Sequence, residues 1–569
     1  MENGSKQREM AQRFKVDVKR SAARRRSRRL MQRLAGEFDK EGEAQTPEPF
    51  PDTSLTPAPD SNIPKPNGVQ HQRSVSPDNG VADIGAARAA SEFSAANGFA
   101  RISLDLSTRP DSHQLSQPID NELEMQFVMI YLDYTFPILF PMYIPSLTEG
   151  GRGWLLVLPM KIKALYHTII SLTSYFFSST PIGLGPAQDL CSSLAFGEQR
   201  KQIDLAVKMV SRDLEIINSQ GVHSNLLESV YLFESIVQLL IFDGVVATTE
   251  TWRIHLDAAI VLFEQIIQTS GSIFSVLDPM RQRSGLPANT PGDTFWSADQ
   301  AAFRFYSSIL VFADIISSTA LEQPPKLQRY HANILTEKSD YDQKAPLQLE
   351  DFIGCQNEVL CSISKIATLD AWKKDMKKHR RLNMTQLMER ASAIERDLAT
   401  TISHPNAVSN INDASFPIAP HQQWQPNTPP FTPSHKSPTS TTKIITLIWA
   451  HAARIYLQIV LSGWQTASPE VRHDVTATLK LLTDLSHFSP GVLHALAWPF
   501  CVAGCLADSE EERAFRDIVD AMGPLGYLGS IKAAMGIMER VWARQDEIDG
   551  NYWDVAACLG SQGFKVLFI

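Results

Sequence analysis

The spacing of apolar side chains along the middle of the chain narrows the possible folds more than any other feature. Ile203, Ala206, Val210, Leu214 and Ile217 recur at steps of three and four residues, and so do Leu226, Val230, Phe233, Val237 and Leu240. Leu256, Ala259, Phe263 and Ile266 continue the series. An α-helix turns once in about 3.6 residues, so each set draws an apolar stripe along one helical face, and such a stripe must be buried against another element. Strand signals are missing from the body. Asn79-Gly80 falls in a proline-rich stretch and Asp549-Gly550 follows a helical pattern, so neither closes a hairpin. The expected fold class is all-α.

Two stretches interrupt the helical pattern. Ten of the 34 prolines lie between Pro47 and Pro118, and eight between Pro405 and Pro438. Proline lacks the backbone donor that a helix interior needs, so these stretches read as solvated and disordered. The expected organisation is a basic helical arm at 1–38, a disordered linker at 39–120, and a helical domain in two parts, 121–403 and 443–569. A Pro-rich disordered insertion at 404–442 loops out between the two parts. Outside the two stretches roughly 400 of the 569 residues remain, enough for a large core. A content of 43% hydrophobic and 20% charged residues excludes a wholly disordered chain.

Charge is distributed unevenly. Twelve Lys or Arg fall between Lys6 and Arg33 against Glu9 and Asp17, a surplus of ten, so the formal −9 of the whole chain leaves −19 on the rest. Met10, Phe14, Val18 and Ala22 recur every four residues with no Gly or Pro before Gly36, which predicts one basic helix over residues 6–38. The candidate contact residues are Lys15, Lys19, Arg20, Arg24, Arg25, Arg26, Arg28, Arg29 and Arg33. That density binds phosphate by releasing counterions, without reading sequence. A nuclear-import signal needs the same residues, and a merely solvated helix is the plain alternative. The expected partners of the arm are therefore the DNA phosphate backbone, weakly, or a nuclear-import receptor. A leucine-zipper basic region is excluded, because after Leu30 and Leu34 the chain reads GEFDKEGEAQTPEP and no heptad run follows.

Catalytic motifs are missing. No G-x-S-x-G, G-x-x-x-x-G-K-[ST] or H-E-x-x-H occurs, so no enzyme is expected. Gly150-Gly151-Arg152-Gly153 has the glycines of a phosphate loop but no strand before it, and reads as a turn between helices. Cys501 and Cys505 stand four residues apart with His494 two turns earlier, which would offer soft metal ligands on one helical face. A closed zinc site takes four ligands, and within ALAWPFCVAGCLA the thiols read as buried hydrophobes, as do Cys355 and Cys361. His167 and His255 read as satisfied core histidines. Trp154, Trp252, Trp449, Trp464, Trp498, Trp542 and Trp553 read as core or as cavity lining. Sparse cysteines and a polar, basic opening predict a reducing intracellular compartment. The uncharged runs 164–188 and 489–507 contain His and Pro and read as core helices, so no membrane partner is expected.

Three segments carry a family resemblance. MQFVMIYLDYTFPILFPMYIPSLTEGGRGWLLVLPMKIKALYHTIISLTSYFF (125–177), VQLLIFDGVVATTETWRIHLDAAIVLFEQI (237–266), and ALAWPFCVAGCLADSEEERAFRDIV with the later IMERVW and WDVAACL (495–559) resemble the regulatory domain of fungal zinc-cluster transcription factors. The resemblance covers about residues 121–400 and 443–569. It implies a nuclear transcriptional regulator with a large helical regulatory domain, acting on one pathway, with other transcription regulators or a homodimer partner. Such proteins bind two zinc ions through six N-terminal cysteines spaced roughly C-x2-C-x6-C twice, and present a helix to the major groove. No cysteine precedes Cys191 here, so the family's zinc cofactor has no ligands in this chain, and KQREMAQRFKVDVKRSAARRRSRR resembles the basic stretch that follows the cluster. A start at an internal Met, by alternative start or gene model, is the favoured explanation. The alternative is a cluster-less interaction protein that modulates a full-length transcription factor.

Overall fold

The computed structural model describes residues 116–403 and 440–569, apart from 146–149, 180–185, 274, 278–279, 281–295, 337–344, 489 and 551. The basic arm, nearly all of the linker and residues 404–439 lie outside the described residues. Among the described residues there is no strand, and the chain is all-α. The longer helices are α1 (Ser116–Ile130), α2 (Trp154–Lys161), α3 (Lys163–Ser179), α4 (Pro186–Gln220), α5 (Leu226–Val246), α6 (Trp252–Ser270) and α7 (Ala298–Leu321). After these come α8 (Asn357–Lys378), α9 (Met384–Ser403), α10 (Ser440–Ser462), α11 (Pro469–Phe488), α12 (Ala497–Gly504), α13 (Ser509–Ala521), α14 (Gly529–Trp542) and α15 (Val555–Leu559). Helix starts at Ser116 and Ser440 precede the expected Asn121 and Lys443 by less than a turn or two, because polar first turns carry no apolar signal.

Helix α7 is the axis of the body. Every residue from Gln300 to Ala320 except Arg304 is buried, and the helix touches α2, α5, α6, α8 and α15. Its start is specified locally: the Ser297 hydroxyl accepts from the Gln300 N–H while the Gln300 side chain accepts from the Ser297 N–H. Its end is specified twice. Glu322 takes a left-handed conformation, and Pro324-Pro325 cannot continue a helix. The buried Asp314 carboxylate then catches the N–H groups of Lys326 (3.1 Å) and Leu327 (2.8 Å). Among the described residues three non-glycines, Ala247, Glu322 and Arg380, have φ between 47° and 60°, a conformation that costs an L-residue roughly 1 kcal/mol.

Around α7 the helices pair as the stripes require. α3 lies along α4, α5 along α6, and α10 along α11. Ala206, Val210, Leu214 and Ile217 of α4 are buried, with Ile203 packed at the edge. α5 departs from a single stripe: Ser229, Glu234 and Gln238 are buried along with Val230, Phe233 and Val237, so this helix is enclosed on all sides. Among the described residues three helices, 226–246, 298–321 and 441–462, are long and apolar enough to cross a membrane, and 83%, 94% and 83% of their apolar windows are buried by the protein itself. Helices from both sides of residues 404–439 share one core, since α8 and α9 both pack on α10. The last residues close it: the Trp252 indole donates to the Lys565 carbonyl (2.9 Å), and Val566, Leu567 and Phe568 are buried.

Candidate functional site

The quoted aromatic string folds into one packed unit. Phe136 and Phe140 meet Phe305 of α7, and Tyr143 stacks on Phe352 with centroids 5.3 Å apart. The glycine motif fastens it. Gly150 and Gly151 have φ of 86° and 56°, which turns the chain so that the Arg152 guanidinium donates to the Tyr143 carbonyl (2.8 Å). The Trp154 indole then donates to the Tyr143 hydroxyl (2.9 Å). The turn is structural, and its arginine is spent on the backbone.

A small cavity opens where this unit meets the second half of the chain. Its walls are Leu139, Phe140, Phe312, Phe352, Trp449 and Trp498, with Phe568 and Ile569 beside them. Trp449 and Trp498 stack with centroids 5.4 Å apart at 4°, and Trp498 donates to the Thr319 hydroxyl (3.1 Å). Two polar groups on the wall have no partner among the described residues, the Trp449 indole N–H and Nε2 of His494. Burial pulls His494 down to about 4, so it is neutral. The cavity holds about 10 Å³, room for one water-sized guest that could bridge indole and imidazole. His494 does not share a helical face with Cys501, as the sequence pattern suggests. It lies in a 3-10 stretch, Pro490–Leu496, and α12 starts only at Ala497, because Pro499 is tolerated only in a first turn.

A second buried polar cluster lies between α5, α7 and a π-helical turn, Tyr131–Thr135, that extends α1. Tyr306 donates to the Gln238 side-chain oxygen (2.8 Å), and Tyr131 of the turn is fully buried. Glu234, one turn earlier on α5, is fully buried, and neither carboxylate oxygen has a partner among the described residues. Burial first, and then the Asp299 carboxylate, push Glu234 well above the ordinary carboxylate range, against the weaker pull of Lys161. No periodicity argument flags Glu234, whose only signal is an acid inside an apolar run.

The thiols form a group larger than the sequence indicated. Cys501, Cys505 and Cys558 are free and buried, Cys505 feels both of the other thiols, and the Trp553 indole points at the Cys558 sulfur (3.0 Å). Burial pushes Cys505 and Cys558 well up, which makes them inert hydrophobes. Cys355 is buried and Cys361 half-buried. His167 and His255 are half-buried rather than core; each has a partner, the Gln202 amide and the Asp243 carboxylate (3.0 Å). Six of the seven singled-out tryptophans are buried and Trp553 is half-buried. Lys15, Lys19, Arg20, Arg24, Arg25, Arg26, Arg28, Arg29 and Arg33 all lie outside the described residues.

The described body is thus all-α, with a packed aromatic entrance, buried thiols and isolated buried polar groups. Comparison with known proteins gives the family. Residues 126–569 match the family model of the fungal-specific transcription factor domain. Transcription factor dibT of Pestalotiopsis microspora is 38% identical over 477 residues, covering 81% of this chain and 72% of its own. Pestheic acid cluster transcriptional regulator 3 of Pestalotiopsis fici is 23% identical over 446 residues, 78% of this chain and 74% of its own. Trichothecene biosynthesis transcription regulator TRI10 of Trichoderma arundinaceum is 24% identical over 433 residues, 74% and 90%. No solved structure matches. The chain belongs to the fungal-specific transcription factor domain family and is a transcriptional regulator.

Proposed function

We propose that the protein works in the nucleus as the regulator of a single biosynthetic gene cluster, and that its cationic arm carries import and a weak contact with DNA phosphates. The observation that carries this reading is the extent of the match: the family domain takes in residues 126–569, and relatives aligned over most of their own length are each named for one cluster or one biosynthesis. The arm reading rests on the surplus of ten cations between Lys6 and Arg33. Deleting the gene and comparing transcripts tests the first part. Coordinated loss of one contiguous set of biosynthetic transcripts is expected, and scattered changes or none would sink it. Deleting residues 15–33 is expected to abolish nuclear accumulation; unchanged localisation removes the arm from the reading.

A further inference from the structure

The end of α8 carries a second cationic cluster, inside the acidic body. The segment 372–383 reads WKKDMKKHRRLN, with six Lys or Arg and His379. Partners divide these cations into two groups. Lys373 donates to the Val460 carbonyl, and Lys374 is ringed by Glu322, Asp370 and Asp554 at 2.9, 2.8 and 2.7 Å. Three carboxylates are thus held by Lys374, and Asp375 is paired with His379 (3.2 Å). Lys377, Lys378, Arg380 and Arg381 are exposed and have no acidic partner among the described residues. Lys377 lies instead over the ring of Tyr552, 5.7 Å from its centroid, and Tyr552 is 82% exposed.

The backbone beneath the four free cations is fixed. The Arg381 N–H bonds to the Met376 carbonyl (2.8 Å) and the Arg380 N–H to the Lys377 carbonyl (3.1 Å), the doubly bonded helix ending whose left-handed residue is ordinarily glycine. Here Arg380 occupies it, at φ 55°. Cations in the last turn of a helix stabilise its C-terminus, each by about 1 kcal/mol or less when exposed. Four unpaired ones, with an arginine held where glycine would be relaxed, exceed what that gain explains. A receptor that reads a basic segment as an extended peptide would have to unwind the last turn of α8, whereas a row of phosphates meets the cations as they stand.

We infer that Lys377, Lys378, Arg380 and Arg381 form a phosphate-binding surface for duplex DNA, a second electrostatic contact made by the helical body itself. It draws on the protein's role as a transcriptional regulator but not on the arm. The test uses the full chain and a labelled mixed-sequence duplex, with binding followed by fluorescence anisotropy between 50 and 200 mM salt, the range over which such contacts are weakened. At about 0.9 per phosphate contact, the variant Lys377→Ala/Lys378→Ala/Arg381→Ala is expected to flatten the slope of log affinity on log salt by up to about 2.7. Its deficit would then be about forty-fold larger at the low-salt end than at the high-salt end. Arg380→Gly separates structure from function: a higher unfolding midpoint is expected together with a slope flatter by about 0.9. Both variants keeping the parent slope overturns the inference. So does a triple variant that binds DNA normally yet fails to accumulate in the nucleus, which would make the cluster a protein-docking site. Deleting the arm lowers the slope of parent and variant alike, so failure of the arm reading shows separately.

Discussion

Replacing Glu234 by glutamine tests whether the polar cluster between α5 and α7 is held in a neutral form. Both carboxylate oxygens are buried without partners, Asp299 repels, and Lys161, the compensating cation, is already bound to Asp299 at 2.9 Å. Burial therefore dominates, and the folded chain keeps a proton on Glu234 well above its ordinary range. The unfolded chain loses that proton near about pH 4.3. A folded value raised in this way makes stability fall as pH rises, by about 1.4 kcal/mol for each unit between the unfolded and folded values. Glutamine has the same shape and does not titrate. The excess stability of Glu234→Gln over the parent is thus expected to be smallest near about pH 4 and to grow by about 1.4 kcal/mol per unit above pH 5 until the folded value is passed. Urea unfolding followed by the fluorescence of the buried tryptophans reads this difference. Asp314, pushed up to about 6 by burial, titrates in both chains and cancels. Parallel stability curves between about pH 5 and 7 would refute the reasoning and mean that the carboxylate is charged inside the fold.

Asp474 has the opposite sign: burial pushes it up, but His451 and Arg454 outweigh that and hold it below the ordinary carboxylate value. Its contribution is present at neutral pH and lost as pH falls through the folded value. Asp474→Ala is expected to cost about 3 kcal/mol at pH 7 in the same urea assay, because it leaves the Arg454 guanidinium and the His451 ring facing a buried void without their acceptor. Gly463→Ala is expected to lower the thermal midpoint, since φ is 81° and the new Cβ would lie 2.8 Å from the Gly550 carbonyl oxygen, which the Trp464 N–H now uses. Replacing residues 404–439 by a short Gly/Ser linker is expected to change unfolding free energy by no more than about 1 kcal/mol, because loop closure depends only weakly on length.

The helical class was written in the chain because its signal is local. Val210 and Phe263 mark their buried faces through neighbours three and four residues away, and the structure buries both. The cavity was not legible, because Trp449, His494 and Phe352 come from three distant segments and only the folded chain brings them together. The thiol group failed for the same reason: Cys558 joins Cys501 and Cys505 from more than fifty residues away. The cations at the end of α8 differ. Their run is plain in the sequence, but ion pairing removes some of its members and leaves others free, and only side-chain geometry tells which.

The segment that ends with Phe568 has a consequence for how the protein is made. Lys565 binds the Glu250 side chain through its N–H (2.7 Å), the Ile569 carbonyl accepts from Ser530 (2.8 Å), and Phe568 walls the cavity together with residues from the opposite end of the body. Residues 564–569 must therefore be in place before the core around α6 and α7 can shut. Until then part of that core is open, a state in which exposed apolar surface invites chaperones and aggregation. Removing residues 564–569 would open the cavity wall at Phe568 and Ile569 and uncover the apolar side chains against it. Cellular quality control would then decide how much of the regulator accumulates.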